Sequence, residues 1–238
     1  MVSLVAPGRT AVQVRMFDFR PVLEAARVTA EAYVAEMHER GVYILGPRTA
    51  AFEQDFAEAV GGGEAIGVGS GTAALELCLR DAGLADSGCD VIVPAMTSMF
   101  TAHAVIAAGA RVRLADVSPE RLLLTPEALL RAWTPATRAV VAVHLYGQPC
   151  AIDEIAAICR ERGAALIQDA CQAHGARYRG APLTDFSPYC AYSFYPTKNL
   201  GGLGDGGAVA TSDPEVAERL RTARDGGRLG GQVCWTPG

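Results

Sequence analysis

The sequence lacks the features by which a membrane span, a nucleic-acid surface or a secretory leader is usually recognised. None of its 238 residues lies in an apolar run of the roughly 18–20 residues that a transmembrane helix requires. Residues 1–19 show no basic start followed by an apolar core, so they do not predict a signal peptide. The net charge is −5 and no basic run occurs, whereas phosphate binding needs clustered Lys and Arg. We therefore expect neither a membrane nor a nucleic acid as partner.

Paired cysteines are also missing, because none of the cysteines forms a C-x-x-C pair. An odd number scattered along apolar segments is typical of reduced core thiols in a cytoplasmic protein. Their spacing does not suit zinc ligands, so we expect no metal. The set consists of Cys78, Cys89, Cys150, Cys159, Cys171, Cys190 and Cys234.

Strand-like apolar runs alternate with helical patterns along most of the chain. Hydrophobic residues make up 50% of the sequence and charged residues 20%, the balance of a globular protein. Several runs are apolar throughout, as expected where helices cover both faces of a sheet. We predict an α/β fold with a mostly parallel sheet, in one large domain over 17–238 after a flexible extension over 1–16. Strands are predicted at 65–68, 90–95, 110–117, 138–145, 164–170, 189–194 and 207–211, and helices at 21–40, 50–60, 72–83, 101–109, 125–133, 151–163 and after the N-cap Asp213.

A glycine-rich turn between a strand and a helix lies in GVGSGTAALELCL, residues 67–79. Such a turn directs backbone N–H groups at an anion, and Ser70 and Thr72 add hydroxyl donors. Residues 69–74 also match a degenerate dinucleotide fingerprint, but that site needs an acidic residue at the end of the next strand, and Asp90 lies at its start. An ordinary strand–helix turn is the other interpretation. The turn predicts an anion site.

A carboxylate ends the apolar strand in LIQDACQAHGA, residues 166–176. Asp169 follows the strand at the edge where ligands of open α/β sheets collect, although Asp is also a common helix N-cap. A buried carboxylate needs a positive or hydrogen-bonding partner. Gln172 and His174 are candidates for hydrogen bonds to a ligand, and His174 is equally consistent with a structural histidine.

Lysine is scarce in this sequence, and Lys198 lies in the glycine-rich segment SFYPTKNLGGLGDGG, residues 193–207. It follows the strand after the one that Asp169 ends, so the two side chains can converge at one edge of the sheet. A lysine in a desolvated site can be a nucleophile that forms a Schiff base, whereas in a plain loop it would be a solvated charge. The flanking glycines allow the backbone to approach a ligand closely.

Together, an anion turn at 70–73, Asp169 and Lys198 provide the groups that pyridoxal phosphate requires. Its phosphate needs fixed donors, its pyridinium nitrogen an acidic partner and its aldehyde an amine. No single motif is specific for this cofactor. The ordered combination predicts it.

The ordered motifs GSGTAAL, VIVPAMT, VHLYGQP, QDACQAHGARYRG and SFYPTKNLGGLGDGGAV resemble those of the DegT/DnrJ/EryC1/StrS family of sugar aminotransferases. The resemblance extends from about residue 17 to residue 228. It implies the large domain of fold-type I, the aspartate aminotransferase-like fold, in a homodimer with shared active sites. Family members continue beyond QVCWTPG into a small C-terminal domain, so we expect the chain to be C-terminally truncated.

The resemblance also assigns roles to residues. Lys198 would form the Schiff base and move a proton between cofactor and sugar, while Asp169 would pair with the pyridine nitrogen. Gln172 would contact the ring hydroxyl. The phosphate would be held by Gly71, Thr72, Ala73 and Ser193.

Two positions depart from the family pattern. Ser98 is a predicted cofactor-binding residue by position, but it stands where a cofactor-stacking aromatic residue is usual. Phe100 is close by, but in a helix it would point about 200° away. Asp225 stands where an asparagine usually reaches the partner subunit's phosphate, and a carboxylate there would repel that group.

The motif forms are most similar to those of enzymes that aminate C3 of a nucleotide-linked keto-deoxysugar in deoxyaminosugar and antibiotic biosynthesis. An amino acid, glutamate by resemblance, would be the donor. Cyclitol aminotransferases remain an alternative, whereas the family's sugar dehydratases replace the lysine by histidine. A non-catalytic remnant or an auxiliary subunit of a full-length homologue is the alternative from another functional class.

Overall fold

The computed structural model describes residues 17–229 and 232–233, which divide into two units at Gly46 and Pro47. The first unit contains helix α1 (Arg20–Arg40). This helix ends at Gly41, whose φ of 65° is left-handed and whose N–H donates to the Met37 carbonyl at 2.9 Å. The predicted helix over 21–40 is thus confirmed. The predicted flexible extension over 1–16 lies outside the described residues.

The second unit is built on a seven-stranded sheet with the order β1-β9-β8-β5-β4-β2-β3. Strand β9 runs antiparallel to both of its neighbours, and the other neighbours are parallel. Two small hairpins, β6–β7 and β10–β11, lie outside this sheet. The strands are β1 (Glu64–Val68), β2 (Asp90–Pro94), β3 (Arg111–Ala115), β4 (Thr137–Val143), β5 (Ala165–Asp169), β6 (Arg177–Tyr178), β7 (Ala181–Pro182), β8 (Cys190–Ser193), β9 (Gly207–Thr211), β10 (Arg228–Leu229) and β11 (Gln232–Val233).

Six helices accompany the described part of this sheet, and their starts follow local capping chemistry. At the last one, Asp213 accepts hydrogen bonds from the N–H groups of Glu215 and Val216, which confirms the predicted N-cap. The second helix begins three residues before the predicted start, because Pro47 suits a first turn. The helices are α2 (Pro47–Val60), α3 (Gly71–Leu79), α4 (Met99–Ala107), α5 (Pro126–Ala132), α6 (Ile152–Glu161) and α7 (Pro214–Arg224), and a π-helical turn, Arg80–Leu84, follows α3.

The core lies on both faces of the sheet, since alternate residues of a strand point to opposite sides. On β9, Val209 belongs to the larger cluster, with α3, α5, α6 and α7, whereas Ala208 and Ala210 belong to the smaller cluster, with α2. The smaller cluster is aromatic: Phe56 meets Tyr192 and Phe194 edge to face, each at a centroid distance of 5.1 Å. The predicted α/β class with helices on both faces is confirmed.

No helix among residues 17–229 has the length and apolarity needed to cross a membrane. Within the same described part of the chain, no three His, Cys, Asp or Glu side chains are grouped so as to hold a metal ion.

Strand β1 is an edge strand, and a buried ion pair satisfies the backbone of Gly67 on its open side. The N–H of Gly67 donates to Glu53 at 2.7 Å, and Arg224 donates to the Gly67 carbonyl at 3.0 Å. Arg224 also donates to the same Glu53 carboxylate. A Cβ at Gly67 would lie 3.3 Å from that carboxylate, so glycine gives the ion pair access to the strand. The pair joins α2 and α7 to the strand that leads into the glycine turn.

We expect Arg224→Met to lower the free energy of unfolding by about 3–5 kcal/mol, because it leaves the Glu53 carboxylate buried without its partner. Arg221→Met, on the same helix, removes a half-exposed pair with Glu64 and should cost at most about 1 kcal/mol. Urea denaturation of both variants provides the comparison. Equal losses would show that the buried pair has no special role.

Candidate active site

A cavity of about 510 Å³ lies at the ends of β5 and β8 and beside the start of α3. Six of the eight predicted site residues line it: Gly71, Thr72, Ser98, Asp169, Ser193 and Lys198. The other lining residues are Ser70, Leu75, Phe100, Thr101, Cys171, Tyr195, Thr197, Asp205 and Gly206. The predicted convergence of the glycine turn, the carboxylate and the lysine is therefore present in one cavity.

The glycine turn forms the N-terminus of α3 and depends on close backbone packing. Ser70 is the N-cap, and its Oγ accepts the Ala73 N–H at 3.1 Å. A Cβ at Gly71 would lie 2.7 Å from the Ser193 Cβ and 2.9 Å from the Cys171 Sγ, so the turn can approach β8 only as glycine. The first-turn amides precede the helical hydrogen bonds and remain directed at the cavity end of the helix.

Asp169 is the last residue of β5 and is only 5% exposed. Its Oδ2 accepts the hydroxyl of Thr101 at 2.8 Å, and its Oδ1 accepts the Cys171 N–H at 3.2 Å. The hydroxyls of Thr97 and Thr101 lie 2.9 Å apart, which extends the chain of hydrogen bonds. A carboxylate has about four acceptor positions, so two donors leave capacity for a ligand.

Lys198 lies in the loop between β8 and β9, and backbone hydrogen bonds close this loop at its base. The Phe194 N–H donates to the Gly206 carbonyl and the Gly202 N–H to the Phe194 carbonyl, both at 2.7 Å. Near the tip, the Lys198 N–H donates to the Tyr195 carbonyl at 2.8 Å. Lys198 is half-buried. It is also the only lysine of the chain, in which 21 residues are Lys or Arg.

The thiol of Cys171 lines the cavity beside these charges. Burial raises the pKa of Cys171 well above its usual value, and the negative charge of Asp169 raises it further. The charge of Lys198 opposes this increase in the pKa. Cys171 is therefore a neutral thiol in the cavity wall.

Two predicted site residues do not line this cavity. Gln172 lines a neighbouring cavity of about 310 Å³ with Tyr146, Thr197, Lys198 and Asn199. Its Oε1 accepts the N–H of Tyr146, whose φ of 57° is left-handed. The Ala73 N–H is already bonded to Ser70. The contacts predicted for Gln172 and Ala73 stay predictions.

Ser98 and Phe100 do not both belong to a helix, as the sequence-based expectation for their side chains assumed. Helix α4 begins at Met99, two residues before the predicted start, and Ser98 is its N-cap with an extended backbone, φ −67° and ψ 140°. The helical rotation of 100° per residue therefore does not apply between Ser98 and Phe100. Both residues line the cavity.

A buried histidine supports the end of β4 next to Asp169. The Cys150 N–H donates to His144 Nδ1 at 3.1 Å, so the proton resides on Nε2, which donates to Gln168 Oε1 at 3.1 Å. Gln168 in turn donates to the Leu183 carbonyl at 2.7 Å. Burial lowers the pKa of His144 to about 4, although the Gln168 hydrogen bond and the charge of Asp169 act in the opposite direction.

The second histidine, His174, has a structural position. Its Nε2 donates to the Ser193 carbonyl at 3.0 Å, and its ring lies against Phe56, Tyr192 and Phe194. Its Nδ1 is buried and has no hydrogen-bond partner within the described residues. Burial lowers the pKa of His174. It lines neither cavity described above.

The dinucleotide interpretation is not supported, because Asp90 is the first residue of β2 and is bonded there. Its carboxylate accepts the Thr134 hydroxyl at 2.8 Å and the Arg111 Nε at 3.0 Å. Asp225 follows the end of α7 and does not line the cavity.

Comparison with known proteins gives the family. The sequence profile of the DegT/DnrJ/EryC1/StrS aminotransferase family matches residues 25–235, which is most of the chain. The chain belongs to this family.

Similar proteins include a transaminase and solved aminotransferase-like structures. The dTDP-3-amino-3,4,6-trideoxy-α-D-glucose transaminase of Streptomyces venezuelae is 42% identical over 215 residues, 90% of this chain and 56% of the relative. A crystal structure of S. venezuelae DesV with a ketimine intermediate has a TM-score of 0.82 at 42% identity, covering 89% of this chain and 57% of that one. NtdA of Bacillus subtilis with bound cofactor PMP has a TM-score of 0.81 at 28% identity, covering 91% and 49%.

The present chain thus spans about half the length of the known proteins that it matches. The predicted fold-type I sheet architecture is confirmed by these structures.

Gly71→Ala should lower the free energy of unfolding by about 1–3 kcal/mol, because the added methyl group overlaps Ser193 and Cys171. Gly69→Ala is the matched control, since a Cβ there has nothing within 4 Å, and it should cause no loss. Urea denaturation measures both. Equal stability of the two variants would contradict the packing of this turn.

The free energy of unfolding should decrease as the pH falls from about 6.5 to about 4, because the pKa of His144 is lowered in the folded protein. In this window the unfolded chain binds a proton at His144 that the folded chain does not, so unfolding is favoured by up to about 3 kcal/mol at the acidic end. His144→Asn should reduce this dependence in urea denaturation at several pH values. His103→Asn, at an exposed position, should retain it. Parallel pH profiles for wild type and His144→Asn would refute the assignment.

Proposed function

We propose that the chain binds pyridoxal 5′-phosphate and uses it in the transamination of a keto group on a nucleotide-linked deoxysugar, with C3 as the aminated position and an amino acid, glutamate, as donor. The observation that carries this proposal is the single cavity that combines the α3 N-terminus, Asp169 and Lys198. The 3-amino sugar product of the S. venezuelae relative supports C3. Since the chain spans about half of that relative, the activity and substrates are inferences.

The residues present fit this cofactor. The α3 turn offers backbone N–H groups and a helix N-terminus to a phosphate, and glycine at position 71 lets it reach Ser193. Asp169 is buried and retains acceptor capacity for a protonated ring nitrogen. When bound, pyridoxal phosphate supplies an electron sink through which an amino group can be exchanged between an amino acid and a keto compound.

Lys198 is the group that would hold the cofactor and move the proton at its Nζ atom. Arginine cannot lose its proton in proteins and cannot serve as this nucleophile. A chain that uses arginine at every other basic position, but lysine at 198, therefore has a chemical reason for this exception. Thr101 has a positioning role, because its hydroxyl holds the carboxylate that would keep the ring nitrogen protonated.

We also infer a homodimer. The α4 entry and the lysine loop both expose large apolar side chains, Met96, Met99, Leu200 and Leu203, and a partner subunit would bury them. The prediction of one cofactor-binding large domain over 17–238, without the small domain, stays a proposal. The six described cysteines are all unpaired, which supports a reducing, cytoplasmic location.

A non-catalytic subunit is the main alternative, and the family's sugar dehydratases are disfavoured by Lys198. A cyclitol aminotransferase would share this whole site. Because these proteins differ in what they do with the bound cofactor, cofactor binding and amino transfer should be tested separately.

The first test is the long-wavelength absorbance band that pyridoxal phosphate gives when it is held on a lysine. We expect this band in the wild-type chain, and we expect borohydride to fix the cofactor to the peptide that contains Lys198. Lys198→Ala should abolish both signals. Lys198→Arg is the matched control for charge and should abolish them too. Because no other lysine exists, any remaining adduct would have to lie on the N-terminal amine, and an unchanged band in these variants would overturn the role of Lys198.

Added glutamate then distinguishes an enzyme from a passive binder. Transamination should shift the absorbance to the amine form of the cofactor, and a nucleotide-linked 3-keto sugar should restore the original band. A stable band in the presence of glutamate would favour the non-catalytic subunit. Restoration by a keto cyclitol instead of the sugar would favour the cyclitol alternative.

A further inference from the structure

We propose that Phe100 forms the aromatic wall of the cavity and packs against one face of the cofactor's pyridine ring. This inference rests on the proposed function, because it concerns the same cavity. It assigns to Phe100 a contact that Ser98, the residue at the expected position, cannot make with its small hydroxymethyl group.

The start of α4 makes this possible. Ser98 is an extended N-cap and its Oγ accepts the Phe100 N–H at 3.4 Å, a weak capping contact that keeps the first turn tight. Ser98 and Phe100 therefore both line the same cavity, which helical spacing would not predict. An aromatic group can therefore be supplied from position 100 without any change in the fold.

The neighbour of Phe100 determines which ligand atoms it would meet. Thr101 is the next residue, and its hydroxyl bonds to Asp169 at 2.8 Å. This bond holds the first turn of α4 beside the carboxylate. A pyridine ring whose nitrogen pairs with Asp169 would therefore be next to this turn, on which Phe100 precedes Thr101.

The side chain of Phe100 is exposed enough to pack against a bound ligand. Its side chain is 56% exposed although it borders a cavity, and its one described ring contact is an edge-to-face contact with His103 at 6.0 Å. A flat aromatic ligand gains apolar burial and ring stacking from such a side chain. The contact would keep the ring plane fixed while the nitrogen remains at Asp169.

Tyr195 is the competing aromatic residue in the cavity wall, with 51% exposure. It belongs to the loop of Lys198, and its carbonyl accepts the Lys198 N–H. Tyr195 is therefore held near Lys198, whereas Phe100 is held near Asp169 through its neighbour Thr101. The ring nitrogen would pair with the Asp169 carboxylate, which favours Phe100 over Tyr195.

The test is a titration of the full chain with pyridoxal phosphate, followed by absorbance and by the shift in thermal unfolding temperature. Phe100→Ala should raise the dissociation constant by about 3- to 10-fold, the range expected for loss of an aromatic pair. Phe100→Leu should fall between wild type and Phe100→Ala, since it retains apolar area without a ring. Adding Ser98→Phe to Phe100→Ala should recover affinity, because position 98 lines the same cavity.

Ile106→Ala is the matched control, since Ile106 lies on the same helix, is 62% exposed and does not line the cavity. It should leave the dissociation constant unchanged. An unchanged constant in Phe100→Ala would overturn the inference and leave the cofactor assignment intact, as would a loss of affinity confined to Tyr195→Ala. Equal weakening in Ile106→Ala would show a general effect of the helix and would also overturn the inference. A wild-type chain that binds no pyridoxal phosphate would contradict both proposals.

Discussion

The candidate site depends on how the buried carboxylate of Asp169 is satisfied. A charge at 5% exposure is costly unless donors surround it, and the donors come from two directions. The Thr101 hydroxyl brings in the start of α4, and the Cys171 N–H fixes the turn after β5. The Asp169 carbonyl also accepts the His144 N–H, which joins the end of β4 to the same point. Asp169 thus links three elements around the cavity, two through its carboxylate and one through its backbone carbonyl.

A second constraint acts from the opposite side of the glycine turn. The Glu53–Arg224 pair holds the backbone of Gly67. Strand β9 packs closely against the turn, because a Cβ at Gly207 would lie 2.4 Å from the Ser70 carbonyl. The anion turn is therefore held by an ion pair, by a glycine of β9 and by the contact of Gly71 with Ser193. Its donors need little reorganisation to accept a ligand, and preorganised donors of this kind are the most effective ones.

The sequence could predict the sheet and the principal chemistry because both depend on local patterns. All seven strands of the sheet coincide with predicted strands, and Asp169 and Lys198 are recognisable from residue type and from their places at or beyond strand ends. The contribution of Thr101 could not be predicted, since its hydroxyl meets a carboxylate 68 residues away. The predicted start of α4 is two residues late because Ser98 is an N-cap, so the place of Phe100 beside Ser98 in the cavity wall does not follow from helical spacing. The bond of Gln172 to the Tyr146 N–H, 26 residues away, is likewise visible only in the tertiary structure.

The antiparallel direction of β9 has a mechanical consequence for the lysine. If β9 were parallel to β8, the chain would need a crossover connection from one end of the sheet to the other. Because β9 is antiparallel, it starts at the same edge of the sheet at which β8 ends. The loop that carries Lys198 is therefore a hairpin connection whose two ends lie at the same edge of the sheet. The hydrogen bond from the Phe194 N–H to the Gly206 carbonyl joins these ends. Because β8 is parallel to β5, this edge is also the one at which Asp169 ends its strand, and Lys198 is tethered there through both ends of its loop.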